Sequence, residues 1–299
     1  MQKLSRQQLI FVVLLTAIWG INWPVMKLGV TGFPALTFRA LSIWLGVPVL
    51  ALGLVLLKVT FRMPRRHWPE LVWLAATNMF IWHATMILAV KTLSSGRAAI
   101  LGYTMPIFSA VIGAMLFSAA LTRRGWLGVS AASLGVALLL WHEFTGLAGH
   151  PLGVVLALIA ASTWALGTQL LRRTPMKVPT LTISFWMTVL TAAVMTALSV
   201  LFERGDWIAP TATVWGAIWF NAVLIFGFVH AAWFYLARSL PPVASTLSVM
   251  FIPVVGVFSG ALWLGEVLHW QDWAAVVLMV VAIGSVLWPA RAPAVAPAA

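Results

Sequence analysis

The stretch QQLIFVVLLTAIWGINWPVM, residues 7–26, runs for 20 positions without an Asp, Glu, Lys or Arg. A helix rises 1.5 Å per residue and the hydrocarbon of a bilayer is about 30 Å thick, so such a run reads as a membrane span. Its apolar residues surround the whole helix instead of forming one stripe, which suits a helix whose neighbours are lipid and other helices. Cutting the rest of the chain at every charged residue yields the uncharged intervals 40–57, 71–90, 98–122, 125–142, 144–171, 178–202, 207–237, 239–265 and 273–290, each at least 18 residues long. Ten helical spans follow, and the short alternating segments of a membrane β-barrel are absent.

Composition agrees. Of 299 residues, 62% are hydrophobic and 8% charged, with a mean hydropathy of +1.02. A soluble domain carries about 25% charge and needs it to stay in water. The net charge of +12 would invite a nucleic-acid reading if the basic residues were clustered. They lie between the apolar intervals, where they determine topology, and no nucleic acid is expected as partner. The absence of cysteine excludes a disulfide framework, thiolate metal sites and a Cys nucleophile. Met1 to Gln8 is short and basic and is followed by no small-residue cleavage site, so the first span reads as retained.

With the N-terminus in the cytoplasm, 13 Lys or Arg residues fall at cytoplasmic ends, among them Arg65, Arg66, Arg123, Arg124, Arg172 and Arg173. Five, Lys27, Arg39, Lys91, Arg97 and Arg204, fall outside. That asymmetry predicts both termini cytoplasmic. The Pro/Ala-rich tail, residues 290–299, reads as disordered.

Sliding the chain on itself exposes an internal repeat. At an offset of 145 residues Trp19 falls on Trp164, and at 147 His83 falls on His230, Pro106 on Pro253, Gly113 on Gly260 and Trp126 on Trp273. An ordered coincidence of rare Trp, His and Pro residues marks duplication. The two units are residues 7–142, with helices 1 to 5, and 151–289, with helices 6 to 10. An odd number of helices per unit inserts the halves in opposite directions, an architecture that places a transport site near the midplane between them.

Ala17-Ile18-Trp19-Gly20-Ile21-Asn22-Trp23, Phe38-Arg39, the Pro106 and Pro253 helices and Gly265-Glu266 resemble the two EamA repeats of the drug/metabolite transporter superfamily. With His83 and Tyr103, the Trp-rich first helix is similar to the aromatic amino acid exporters of the YddG type. The resemblance implies an all-α integral membrane protein of ten helices around a central cavity, exporting amino acids or related metabolites from a bacterial cytoplasm. One departure stands out: the first repeat has Ser118-Ala119 where the second has Gly265-Glu266.

The residues that could bind substrate come from the spans. His83 and His230 sit near the centres of helices 3 and 8, where a polar ring should face a cavity or another helix. Trp82 and Met86 lie beside His83. On helix 1, Thr16, Trp19, Asn22, Trp23 and Met26 share one face by their i, i+3, i+4 spacing. Trp164 lies as deep as Trp19, and Tyr103 could bond a substrate amine or carboxylate. For each of these the competing reading is plain packing between helices. Pro24, Pro106 and Pro253 are candidate hinges, because a proline inside a helix frees a carbonyl and permits a kink.

No Asp or Glu falls in the middle of a span, which disfavours proton-coupled efflux of cationic drugs and favours a neutral or zwitterionic substrate. No nucleotide-binding glycine motif, H-E-x-x-H or nucleophile constellation is present, so neither an enzyme nor a cofactor or metal is expected. The reading is a secondary exporter of zwitterionic amino acids working in the bilayer as a monomer, with broad metabolite or toxicant efflux as the alternative.

Overall fold

The structure is a computed structural model that describes residues 6–117, 123–145, 150–239 and 252–287. The tail 290–299 and the pair Ser118-Ala119 lie outside the described residues. Helices α1 (Arg6–Val30) and α2 (Ala35–Leu56) are followed by α3, which joins Trp68–Ala75, a π-helical stretch Ala76–Phe80 and Ile81–Thr92. Helix α4 is Ser95–Gly102 and Met105–Phe117 with a break at Tyr103 and Thr104, and α5 is Arg123–Thr145. The second half continues with α6 (Pro151–Arg173), α7 (Thr180–Phe202) and α8, which joins Ala212–Phe220, π-helical Asn221–Val229 and His230–Ser239. It ends with α9 (Ile252–Leu264) and α10 (Trp270–Leu287). No strand occurs among the described residues.

The protein is thus an all-α membrane protein with ten spans. Among the described residues seven helices, α1 to α4 and α6 to α8, are long and apolar enough to cross a bilayer, and Trp126–Leu138, Ile252–Leu264 and Trp270–Ala282 are shorter apolar stretches of α5, α9 and α10. Leu52, Leu56, Trp73, Met115, Leu262 and Trp263 are exposed on the outside of the bundle. In water they would form large apolar patches, whereas lipid solvates them.

The duplication is visible in the backbone. At an offset of 147 residues the π-helical stretch of α3 falls within that of α8. Pro106 and Pro253 occupy the second positions of Met105–Phe117 and Ile252–Leu264, where the missing N–H is unpaired in any helix. Pro24 lies inside α1, which continues through it.

The halves interlock. The most extensive contacts run between them: α5 with α10, α2 with α7 and α8, α3 with α6, and α1 with α9. Small residues permit the closest of these. A Cβ on Gly167 of α6 would lie 2.5 Å from Asn78 Nδ2 on α3, and one on Gly20 of α1 would lie 2.5 Å from Val255 Cβ on α9.

At one end of the bundle, two carboxylates from the second half cap helices of the first. Glu203, just after α7, accepts from the backbone N–H groups of Leu36 (3.0 Å) and Thr37 (2.7 Å) at the start of α2. Glu266, just after α9, accepts from Ser95 N (2.6 Å), Ser95 Oγ (2.9 Å) and Gly96 N (3.2 Å) at the start of α4. The preceding Gly265 has φ +63°, a turn that a side chain would strain. Each acid therefore meets the orphan N–H groups and positive dipole end of its own repeat counterpart. At the same end Arg97 pairs with Asp272 at 2.8 Å, and Lys27 donates to the carbonyls of Val90, Lys91 and Leu93 at the end of α3.

Arg39 corrects the charge count. Counted among the charges on the outer side, it is the fifth residue of α2 and only 1% exposed. The helix starts after Pro34, held by Glu203, four residues before the charge that ended the interval.

Candidate functional site

The face of α1 carrying Trp19, Asn22, Trp23 and Met26 points inward: all four are buried, while Val13 and Leu14 face out. At the centre Trp19 meets Trp164 of α6 edge-on with ring centroids 6.0 Å apart. It also meets two rings of α8, His230 at 5.8 Å and Trp233 at 5.9 Å. Trp82 of α3 lies 5.0 Å from Trp164, and His83 lies 5.1 Å from its repeat counterpart His230. Phe226 stacks on His230 at 5.1 Å and 1° and meets His83 at 5.0 Å. Helices α1, α3, α6 and α8 thus bring Trp19, Trp82, His83, Trp164 and His230 together.

Trp23 and Tyr103 form a neighbouring edge-on pair at 6.3 Å. A Cβ on Gly102 would meet the Trp23 ring at 2.9 Å and the end of Met86 at 3.2 Å, so these side chains converge where α4 breaks. Asn22 is buried on the α1 face between the two groups in sequence. Pro106 lines a crevice under Trp164, whereas Pro253 is buried at the start of α9, outside the ring cluster.

The π-helical stretch of α8 has a direct consequence for His230. Its Nδ1 lies 2.9 Å from the Ile225 carbonyl, five residues back, and since a carbonyl only accepts, Nδ1 carries the hydrogen. Nε2 has no protein partner. Neither ring nitrogen of His83 has one, nor do Asn22 Oδ1, Asn78 Oδ1, Trp23 Nε1, Trp164 Nε1 or Trp233 Nε1. Buried polar atoms are nearly always bonded, so these atoms make the cluster the candidate site.

One opening touches the cluster, and a second lies toward the Glu203 end. At the Glu203 end a pocket of 610 Å³ is lined by Val30, Phe33, Leu36, Leu88, Lys91 and Glu203. At the Arg172 end a crevice of only 40 Å³ is lined by Met105, Pro106, Trp164, Thr168, Arg172 and Trp233. The first has room for an amino acid, the second for little more than a water molecule or two.

Sequence reasoning missed Arg39, Asn221, Phe226 and Trp233. Arg39 donates from Nη1 to Asn221 Oδ1 at 3.1 Å and from Nη2 to Met26 Sδ at 2.8 Å, and its Cζ lies 5.6 Å from the Phe226 ring centroid. The signal available was Arg39's place five residues after Pro34, and Asn221 as the one amide of its interval.

The solved structures include a crystal structure that superposes with a TM-score of 0.67 at 19% identity, covering 94% of this chain and 96% of its own. That likeness establishes the fold. An uncharacterized transporter of Bacillus subtilis, YoaV, is 24% identical over 260 residues, 85% of this chain and 88% of its own. An uncharacterized inner membrane transporter of Escherichia coli, YedA, is 26% identical over 288 residues, 94% of this chain and 92% of its own. A probable amino-acid metabolite efflux pump of Salmonella typhimurium is 26% identical over 293 residues, 92% and 93% of the two chains. The profile of the EamA-like transporter family matches residues 7–141 and again 151–288, so the chain belongs to that family of membrane transporters.

Proposed function

We propose that this protein is a secondary exporter that moves amino acids, aromatic ones among them, or related metabolites out across the bacterial cytoplasmic membrane by alternating access. The observation that carries the reading is the buried cluster of Trp19, Trp82, His83, Trp164 and His230, with its unpartnered ring nitrogens and a narrow crevice under Trp164. Flat rings grip an apolar side chain, and the free acceptors Asn22 Oδ1 and Asn78 Oδ1 suit an ammonium group. The efflux pump named for amino-acid metabolites among the relatives supports the same substrate class.

The basic residues orient the chain. The Arg172 end faces the cytoplasm, both termini lie there, and the 610 Å³ pocket opens outside. The closed crevice and open pocket then correspond to an outward-facing state. Pro106, beside the crevice and next to the break of α4, serves as its hinge together with Pro24 and Pro253. A monomer in the bilayer suffices, since both halves of the site come from one chain.

Among the described residues the acids with described side chains, Glu70, Glu203, Asp206, Glu266 and Asp272, sit at helix ends or in loops. Without a mid-span carboxylate to carry protons, a zwitterion runs down its own gradient. Uptake of a radiolabelled amino-acid panel into sealed proteoliposomes, with and without a pH gradient, tests this. Saturable flux of at least one amino acid with no concentrative uptake is the expected result. Accumulation that an uncoupler abolishes would overturn facilitated transport. Broad metabolite or toxicant efflux is favoured by the apolar lining instead, and would show as competition by uncharged aromatics lacking an amino-acid backbone.

A further inference from the structure

Arg39 is a guanidinium buried inside a membrane span, and its polar contacts are neutral: an amide oxygen and a thioether. Among the described residues no carboxylate pairs with it, and Glu203, near the start of the same helix, is bonded to the backbone of Leu36 and Thr37. Its Nε has no protein partner. A guanidinium keeps its charge in proteins and offers five N–H donors in a planar fork shaped for a carboxylate. Ionisable groups held in a bilayer at this expense line substrate paths.

The surroundings connect Arg39 to both parts of the site. Leu36 and Val30, which line the 610 Å³ pocket, lie three and four residues from Arg39 and Met26 on their helices, one turn away. On the other side Arg39 lies against Phe226, the ring that stacks on His230 and touches His83. Asn221 is oriented for its task, since its Nδ2 donates to Ala217 O at 3.1 Å and so turns Oδ1 toward the guanidinium.

We propose that Arg39, positioned by Asn221, is the carboxylate receptor of the transport site, and that the substrates are carboxylates whose apolar part lies among the rings of His83, His230 and Trp19. The assignment rests on the exporter reading and narrows it: amines, amides and esters of the same shape are excluded.

The test uses the full-length protein purified in detergent, with thermal stability read against matched probes: L-phenylalanine and L-phenylalaninamide, phenylacetate and phenylacetamide, and sodium chloride at equal ionic strength. At least one carboxylate should raise the melting temperature and its amide should not. Arg39→Gln should weaken the apparent affinity for that carboxylate by about tenfold or more, the loss of a charge-assisted bond pair. Asn221→Asp retains Arg39 and supplies an internal carboxylate, so it should fold well and lose carboxylate binding as well. Amides matching acids, chloride matching carboxylates, no response to any carboxylate, or unchanged binding in Asn221→Asp would each overturn the proposal. The exporter reading is judged separately in proteoliposomes. Arg39-dependent binding of phenylacetate without transport of any amino acid would refute the amino-acid substrate and leave Arg39 standing, whereas amino-acid flux unaltered in Arg39→Gln would do the reverse.

Discussion

Replacing Glu266 by Gln tests whether the Glu203 end of the bundle is held by carboxylate caps. Glu266 accepts three hydrogen bonds, from Ser95 N, Ser95 Oγ and Gly96 N, and Ser95 is fully buried. Glutamine keeps the shape but has one accepting oxygen in place of two. The Ser95 hydroxyl can turn and accept from the new NH₂, so one backbone N–H of the helix start is left without an acceptor. A donor orphaned in this way costs about 1–3 kcal/mol, and loss of the charge at the dipole end adds about 0.3–1 kcal/mol. A total near 2 kcal/mol results, for an unfolding entropy of about 2.1 cal/mol/K per residue. Over 299 residues that is a fall in Tm of about 3 °C. Glu203→Gln should behave alike, since it frees the N–H of Leu36 or Thr37 in the same way. Glu70, which accepts from the hydroxyl of Thr174 at the other end, is the control: glutamine keeps an oxygen that accepts from the same hydroxyl and orphans no backbone N–H, so Glu70→Gln should shift Tm by about a third as much or less. The assay is thermal unfolding of purified protein followed by size-exclusion chromatography. If Glu266→Gln melts with the parent, or no lower than Glu70→Gln, the caps do not stabilise the fold and the reasoning fails.

Three other predictions follow the same geometry. Trp19→Ala, Trp164→Ala and His83→Ala should each reduce flux by about tenfold or more, equivalent to about 1.4 kcal/mol, with membrane expression retained on immunoblots; parental flux in all three would make the cluster mere packing. Gly167→Val should lower Tm or abolish expression, because even a Cβ meets Asn78 Nδ2 at 2.5 Å and overpacking costs about 1–3 kcal/mol, whereas Gly53→Val, with open space around it, should not. Reporter fusions after Arg66 and Arg173 should read cytoplasmic and a fusion after Asp206 external; an external signal at Arg173 would invert the topology drawn from the basic residues.

The spans were legible because charge is excluded from hydrocarbon, so cutting at charges finds helices even where amphipathic periodicity is missing. The same rule started the second interval after Arg39, and it gave no sign that this charge is buried against Asn221 and Met26. Face arithmetic worked on α1, which is α-helical from Arg6 to Val30, and correctly gathered Trp19, Asn22, Trp23 and Met26. It could not work across Ala76–Phe80 or Asn221–Val229, because a π-helical turn shifts the phase of everything beyond it. Trp233 and Phe226 were therefore indistinguishable from the other rings of α8. The Gly265-Glu266 departure was visible in the sequence, but its use as a cap on α4 needed the fold, because the acid acts 171 residues away.

The interlocking of the halves reaches beyond stability. Because α1, α2, α3 and α5 find their chief partners in the other half, a fragment ending at Thr145 has unmated surfaces on most of its helices, and so has one beginning at His150. Made alone, each is material for proteases; made together from two messages, they have a complete set of mating surfaces and can assemble in trans. The peptide link between the halves then supplies proximity and not architecture, and damage in one fragment is best repaired by suppressor changes arising in the other.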